Sequence, residues 1–261
     1  MAVYDDDLRL AHVIADMVDK LTTGRYLATD LRVDTKPDLT PVSDADKAAE
    51  ELIRTQLRRT RPRDAVVGEE FEPTGHGSRQ WVVDPIDCTK NFVRGVPVWA
   101  TLIALLDDGV PVLGVVSAPA LNRRWWAATG TGAWTGRSLS AARRLRVSSV
   151  ASLGDASLSY SSLGGWEEKG RLEQFLELER RVWRSRAYGD FWSYMLLAEG
   201  GVDIAAEPSL ELHDMAALVT IGTEAGGRFT ALDGVDGPFG GNAVATNGEL
   251  HGEVLDILDG S

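Results

Sequence analysis

The sequence predicts a layered α+β fold in which an antiparallel sheet half packs on a second, α/β half. Residues 99–128 contain three apolar runs separated by short turn segments, which is typical of an antiparallel meander. From about residue 150, predicted strands and helices alternate, which indicates layered α and β structure. We therefore expect residues 1–150 and 151–261 to form two halves of one compact unit, with a site in the cleft between them.

The first half is expected to begin with two helices. Apolar residues recur at helical spacing between Leu8 and Leu21, which predicts a first helix. Ser43 precedes a second apolar series that ends at Leu57, so Ser43 is the expected N-cap of a second helix. Asp44 would then lie in the first turn, where an acid stabilises the helix dipole.

The remaining elements follow in order along the chain. A strand over residues 80–84 is expected to end before Pro85, which has no N–H for a sheet ladder. In the first half we expect further strands over residues 99–106, 110–118, 124–128 and 144–148. In the second half we expect strands over residues 156–160, 182–186, 202–206 and 243–246 and near Phe229, and helices over 171–180, 191–199 and 215–224, followed by a closing helix.

Composition limits the kind of partner the protein can have. The chain has 261 residues, 44% hydrophobic content and a formal net charge of -12. This charge argues against nucleic acid and anionic membrane surfaces as partners. We find neither a membrane-spanning apolar run nor a signal peptide, and Cys88 is the single cysteine, so a cytoplasmic, reducing location is expected.

Two short acidic motifs carry the chemistry of the sequence. Glu69 and Glu70 leave one strand-like run, and Asp84 and Asp87 follow another, with the Ile86 carbonyl between them. Buried carboxylates are costly unless something positive lies among them, and magnesium is a cation usually held by carboxylates together with phosphate oxygens. The alternative is a surface turn whose acids cap a helix.

The residues after Asp87 predict a site for an anion. Residues 88–91 resemble the first turn of a short helix, whose free N–H groups attract phosphate. A thiol at this position, on Cys88, is expected to have a lowered pKa.

These motifs together resemble the inositol monophosphatase family over nearly the whole chain. The residues that carry the resemblance are Gly68-Glu69-Glu70, Asp84-Pro85-Ile86-Asp87 with Thr89, and His213-Asp214-Met215-Ala216-Ala217. The resemblance implies a layered αβαβα fold of the sugar-phosphatase type. Tyr188-Gly189-Asp190, Tyr194 and Ala206-Glu207-Pro208 look like the histidinol-phosphate phosphatase branch. Two residues depart from the family pattern: Cys88 replaces a glycine and His213 replaces a tryptophan.

The resemblance also implies a set of site residues and two to three magnesium ions. The first ion would be held by Glu69, Asp84 and the Ile86 carbonyl, the second by Asp84, Asp87 and Asp214, and Glu69 would share a third. The catalytic residues would be Glu69, with Asp44 and Thr89 as a pair that orients the attacking water and accepts its proton. The backbone N–H groups of Cys88 and Thr89 would bind the phosphate.

Substrate specificity is expected from the second half of the chain. Histidinol phosphate carries an ammonium group, and Asp190 and Glu207 would pair with it through charge-assisted hydrogen bonds. Glu211 is a third candidate. The alternative for Asp190 is an N-cap or first-turn acid of the helix over residues 191–199.

The implied activity is a magnesium-dependent hydrolysis of histidinol phosphate, a small phosphorylated substrate, in histidine biosynthesis. Hydrolysis of inositol phosphate or another sugar phosphate is an alternative, because the metal motif does not recognise the alcohol. A regulatory binding protein is an alternative of another class, which Cys88 keeps open. A homodimer is the family expectation.

Overall fold

The structure is a computed structural model that describes residues 3–37 and 39–260. The helices are α1 Asp5–Arg25, α2 Asp44–Thr60, α3 Thr89–Arg94, α4 Leu163–Glu168, α5 Leu172–Arg181, α6 Asp190–Ala198, α7 Leu212–Glu224 and α8 His251–Asp259. The strands of the first half are β1 Val33–Thr35, β2 Pro41–Ser43, β3 Ala65–Gly68, β4 Arg79–Asp87, β5 Ala100–Asp107, β6 Val110–Ala118, β7 Arg123–Ala128, β8 Ala133–Gly136 and β9 Ala142–Arg144. Those of the second half are β10 Ser157–Ser159, β11 Arg184–Arg186, β12 Ile204–Glu207, β13 Arg228–Thr230 and β14 Ala243–Thr246.

Within the described residues, the strands form one large sheet, one smaller sheet and a short hairpin. The large sheet has the order β3-β4-β5-β6-β7-β8-β9 and is antiparallel except for the parallel pair β3-β4. The smaller sheet has the order β11-β10-β12-β14-β13, with β10 parallel to both of its neighbours. The hairpin pairs β1 with β2.

The layers stack in the order αβαβα, which confirms the predicted fold class. Helices α1 and α2 pack on the outer face of the large sheet, where Ile14 and Ile53 meet Trp81. Helices α6 and α7 fill the space between the two sheets. Helices α5 and α8 cover the far face of the smaller sheet, and alternate residues of β12 point to opposite layers because side chains alternate along a strand.

One glycine allows α7 to approach the large sheet closely. A Cβ atom at Gly114 in β6 would lie 2.4 Å from the backbone oxygen of Ala217 in α7. That distance is shorter than any real contact, so only glycine permits this packing. The close approach matters for the site because α7 carries Asp214.

Two predicted boundaries are wrong. A strand was expected over residues 144–148, but β9 spans Ala142–Arg144. Within the described residues no strand continues from there to residue 148. The strand expected to end at Asp84 continues to Asp87, because Pro85 and Ile86 together stand opposite Thr101 in a β-bulge. A bulge removes the need for a ladder N–H at proline, and the Thr101 hydroxyl donates to the Pro85 carbonyl at 2.8 Å.

No helix among the described residues combines the length and the apolar character that crossing a bilayer requires.

Candidate active site

The parallel pairing of β3 and β4 brings the two acidic motifs together. Gly68 at the end of β3 pairs with Val83, so Glu69 emerges beside Asp84. Asp84 is 2% exposed, and its Oδ1 atom has no hydrogen-bond partner within the described part of the chain. Burial raises the pKa of Asp84, and the neighbouring carboxylates of Glu69, Asp87 and Asp214 raise it further.

Asp87 and Asp214 complete a cluster of carboxylates around Asp84. One ligand oxygen from each of the three lies within 4.8 Å of the others. Asp87 Oδ2 accepts the backbone N–H of Phe191 at 3.1 Å, and Asp214 Oδ2 accepts the backbone N–H of Glu211 at 2.7 Å. Burial and like charges raise the pKa of Asp87. A divalent cation would remove this repulsion, so the donor set fits a metal site.

His213 belongs to a second group of possible ligands. One imidazole nitrogen of His213 and one carboxylate oxygen each of Glu69 and Asp84 lie within 4.8 Å of one another. The sequence indicated only that His213 replaces a tryptophan of the family pattern. Its position beside Glu69 and Asp84 was not predicted, although its place next to Asp214 in the sequence was the available signal.

Thr89 is paired with Asp46, and the expected pairing with Asp44 is wrong. The Thr89 hydroxyl oxygen lies 3.1 Å from Asp46 Oδ1 and 3.0 Å from the Ile86 carbonyl oxygen. Asp44 instead forms an ion pair with Arg25 at 2.9 Å on the exposed side of α2. Helical spacing was a usable signal, because Asp46 lies three and seven residues before buried apolar residues of α2.

Cys88 takes a backbone conformation that glycine normally adopts. Its φ angle is 70°, in the left-handed region, and it precedes the first turn of α3. The Cys88 thiol contacts the carboxylate of Asp190. The expectation of a lowered thiol pKa is wrong, because burial raises the pKa of Cys88 and the nearby charges of Asp190 and Asp87 add to the effect.

Asp190 and Glu207 meet across one serine. The Ser161 hydroxyl donates to Glu207 Oε1 at 2.6 Å and accepts the backbone N–H of Asp190 at 2.9 Å. Burial raises the pKa of Glu207 to about 8, and the charge of Asp190 contributes. Asp190 lies in the first turn of α6, as the alternative expected, while its carboxylate contacts the Cys88 thiol and the Ser161 hydroxyl. Ser161 had no signal in the sequence.

Lys36 is a further residue that the sequence did not indicate. It follows β1, and its Nζ lies 2.6 Å from Glu69 Oε1 and 2.7 Å from Glu70 Oε1. Burial opposes protonation, but these two carboxylates raise the pKa of Lys36 above its usual range. The lysine therefore neutralises part of the acidic motif.

One cavity of about 830 Å³ is lined by most of these groups, although Asp46 lies behind Thr89 and does not reach its wall. The cavity lies between the acidic cluster at the end of β4 and the residues of α6, β12 and α7. Glu211 also lies on its wall. The Tyr194 hydroxyl at this wall is buried and, among the described residues, has no partner. The arrangement can hold cations and a phosphate at the acidic cluster, and a cationic group beside Asp190 and Glu207.

Comparisons with known proteins give the family. A model of the inositol monophosphatase family matches residues 5–259. A Streptomyces coelicolor protein named histidinol-phosphatase is 65% identical, with 99% of each chain covered. A Mycobacterium tuberculosis protein of the same name is 63% identical over 97% of this chain and 98% of its own. A solved Thermotoga maritima IMPase superimposes with a TM-score of 0.87 at 30% identity, covering 98% of this chain and 97% of its own.

Proposed function

Because the chain belongs to the inositol monophosphatase family, we propose that it hydrolyses L-histidinol phosphate to L-histidinol and phosphate with magnesium. The chain is thus a phosphoric monoester hydrolase, and the resemblance seen in its motifs is confirmed. Histidine biosynthesis is the process that the activity serves. One observation carries the substrate assignment: Asp190 and Glu207 meet through Ser161 at the cavity that also holds the acidic cluster.

Magnesium is proposed because the ligands assigned to it are all oxygens, and His213, whose imidazole also lies near Glu69 and Asp84, is not among them. Glu69, Asp84 and the Ile86 carbonyl would hold one ion. Asp84, Asp87 and Asp214 would hold a second, and Glu69 would share a third. The unpartnered Asp84 Oδ1 supports this assignment, since a buried carboxylate oxygen needs a donor or a cation. When bound, magnesium supplies charge stabilisation and lowers the pKa of a water molecule.

The protein groups of the first half would then bind the phosphate and take up a proton. The backbone N–H groups of Cys88 and Thr89 stand before and at the start of α3, where N–H groups lack intrahelical acceptors. Thr89 Oγ1 would accept a proton from the attacking water and pass its own proton to Asp46 Oδ1, 3.1 Å away. Asp46 thus takes the role that the sequence assigned to Asp44.

The groups of the second half would select the alcohol. Burial raises the pKa of Glu207, and the nearby charge of Asp190 raises it further. The ammonium group of histidinol phosphate would offset this effect, whereas a neutral inositol ring would not. A substrate amine is therefore favoured over a sugar hydroxyl beside Asp190 and Glu207.

A substrate panel tests the proposal. Phosphate release with magnesium is measured for histidinol phosphate, inositol 1-phosphate and an aryl phosphate. We expect kcat/KM for histidinol phosphate to exceed that for inositol 1-phosphate by about tenfold or more, the worth of one charge-assisted contact. An equal or higher value for inositol 1-phosphate would favour a sugar-phosphate phosphatase. No turnover of any ester would favour a regulatory binding protein.

We also infer a homodimer and a cytoplasmic location, the latter from the sequence. The dimer is the expectation of the family, and light scattering after gel filtration should give twice the chain mass. A monomer mass for the unmodified chain would contradict the dimer.

A further inference from the structure

Helix α2 presents a buried polar stripe toward the acidic motifs. Asp46, Glu50 and Arg54 follow one another at intervals of four residues, so they lie on one face of the helix. Their exposed fractions are 0%, 0% and 7%. Buried charges of this kind are costly unless every one is paired. Asp46 contacts Thr89, whereas Glu50 and Arg54 contact the backbone of Glu70 and Phe71.

Glu50 binds the turn that follows Glu69. Glu50 Oε2 accepts the backbone N–H of Glu70 at 2.7 Å, and Oε1 accepts the backbone N–H of Phe71 at 3.3 Å. Arg54 Nε donates to Glu50 Oε1 at 2.7 Å, and Arg54 also donates to the Phe71 carbonyl at 2.8 Å. The turn is therefore held through both N–H and C=O groups by one helix.

Gly68 provides the space that the Glu50 carboxylate needs. A Cβ atom at Gly68 would lie 2.1 Å from Glu50 Oε1 and 2.6 Å from Oε2. Any other residue at this position would displace the carboxylate. The glycine of the Gly68-Glu69-Glu70 motif is thus explained by a side chain from α2.

We propose that Glu50 is a positioning residue for Glu69, and that Arg54 and Gly68 keep its carboxylate in place. Two consecutive N–H groups held after Glu69 fix the backbone of the turn and hence the direction in which the Glu69 side chain leaves it. Residues that orient a metal ligand raise the affinity of the site for its ion. The inference rests on the proposed role of Glu69 as a magnesium ligand.

The test is Glu50→Gln, with Glu51→Gln as its matched control on the exposed side of α2. A glutamine keeps the shape but replaces one acceptor oxygen with an amide donor. We expect the Kd for magnesium, measured by isothermal titration calorimetry, to rise about tenfold or more in Glu50→Gln. At saturating magnesium kcat should stay within about twofold of the unmodified protein. Glu51→Gln should change neither quantity.

Two further variants make the result decisive. Gly68→Ala keeps every charge but displaces the Glu50 carboxylate, so its Kd for magnesium should rise about as much as that of Glu50→Gln. This variant therefore tests the proposal independently if Glu50→Gln does not fold. If the folded variants have an unchanged Kd for magnesium, the proposal is overturned, even if their melting temperature falls.

Glu69→Gln separates the metal-ligand role of Glu69 from the positioning role of Glu50. If Glu69→Gln binds magnesium normally, the proposed metal role of Glu69 itself fails. If Glu69→Gln weakens binding and Glu50→Gln does not, only the positioning role fails.

Discussion

The Thr89 hydroxyl oxygen lies 3.1 Å from Asp46 Oδ1, and the Asp46 side chain is completely buried. The other carboxylate oxygen, Oδ2, accepts the backbone N–H of Ser43 at 2.8 Å, so Asp46 also closes the capping box of α2. One side chain therefore joins the start of α2 to Thr89, the first residue of α3. The same residue is both a structural cap and the proposed proton acceptor.

Asp46→Asn should lower kcat by about a hundredfold or more, the range measured for a general base. An amide oxygen can still accept from Ser43, so the variant should remain folded. The matched control is Asp44→Asn in the same helical turn, which should keep kcat within about twofold. Phosphate release at saturating magnesium measures both, with circular dichroism as the check on folding. Loss of activity in Asp44→Asn alone would reject the assignment to Asp46.

Asp87→Asn should abolish turnover while the fold persists. The amide oxygen can still accept the Phe191 N–H that Asp87 Oδ2 accepts at 3.1 Å. The loss of one ligand charge should remove several kcal/mol of transition-state stabilisation. Turnover and thermal unfolding of the same preparation are the measurements. A near-normal rate at saturating magnesium would remove Asp87 from the ligand set.

Asp190→Asn should lower kcat/KM for histidinol phosphate far more than for an aryl phosphate. The lost charge-assisted contact is worth about 1.5–3 kcal/mol, or roughly tenfold to a hundredfold in rate. Asparagine suits the test because Asp190 has a φ of 46°, a region that asparagine tolerates. Steady-state kinetics on both substrates measure the difference. Equal losses would mean that Asp190 supports the fold and leaves selection of the alcohol to other residues.

Cys88→Gly should keep the melting temperature within a few degrees, whereas Cys88→Val should lower it clearly. The φ of 70° costs glycine nothing and is strained for a β-branched residue, by about 1–3 kcal/mol. At this chain length that cost corresponds to a fall of several degrees. Differential scanning calorimetry compares the two variants. Equal stability would show that the backbone at Cys88 does not hold the left-handed conformation.

His251 should make the protein less stable as the pH falls below neutrality. Its side chain is 1% exposed, with Thr230 and Thr246 hydroxyls 3.0 Å from its two nitrogens. Burial lowers the pKa of His251 from 6.5 to about 4, and Arg228 contributes. Between these pH values the unfolded chain binds a proton that the folded protein excludes. The free energy of unfolding therefore decreases as the pH is lowered.

Urea unfolding at pH 7.5 and pH 5 measures this dependence. The His251 contribution should lower the free energy of unfolding by about 2 kcal/mol over that interval. His251→Gln keeps hydrogen-bonding groups but has no titrating ring. Its free energy of unfolding should therefore decrease by about 2 kcal/mol less between pH 7.5 and pH 5. Identical decreases in the two proteins would exclude His251 as the source.

The resemblance of the motifs was sufficient for the family and the layer order, and it named Glu69, Asp84, Asp87 and Asp214 but gave Asp44 in place of Asp46. The helices and strands themselves depend on local information, because apolar periodicity predicts them, and a strand end presents the residue that follows it. The N-cap Ser43 was predicted for the same reason, and the structure places it at the start of α2 with Ala45 N–H bonded to its hydroxyl. Pro85 shows the limit, because its missing N–H predicted a strand end where pairing with β5 instead formed a bulge.

Only the tertiary structure decided which distant side chains complete the site. Ser161 approaches Glu207 across 46 positions, and Lys36 approaches Glu69 across 33. Glu50 lies in a helix whose pattern predicts a buried face, yet its partners are backbone N–H groups 20 residues away. A sequence pattern reports which face is buried but not which loop covers that face. That choice follows from the packing of α2 and α7 against one sheet, which brings both acidic motifs and the second half of the chain to one cavity.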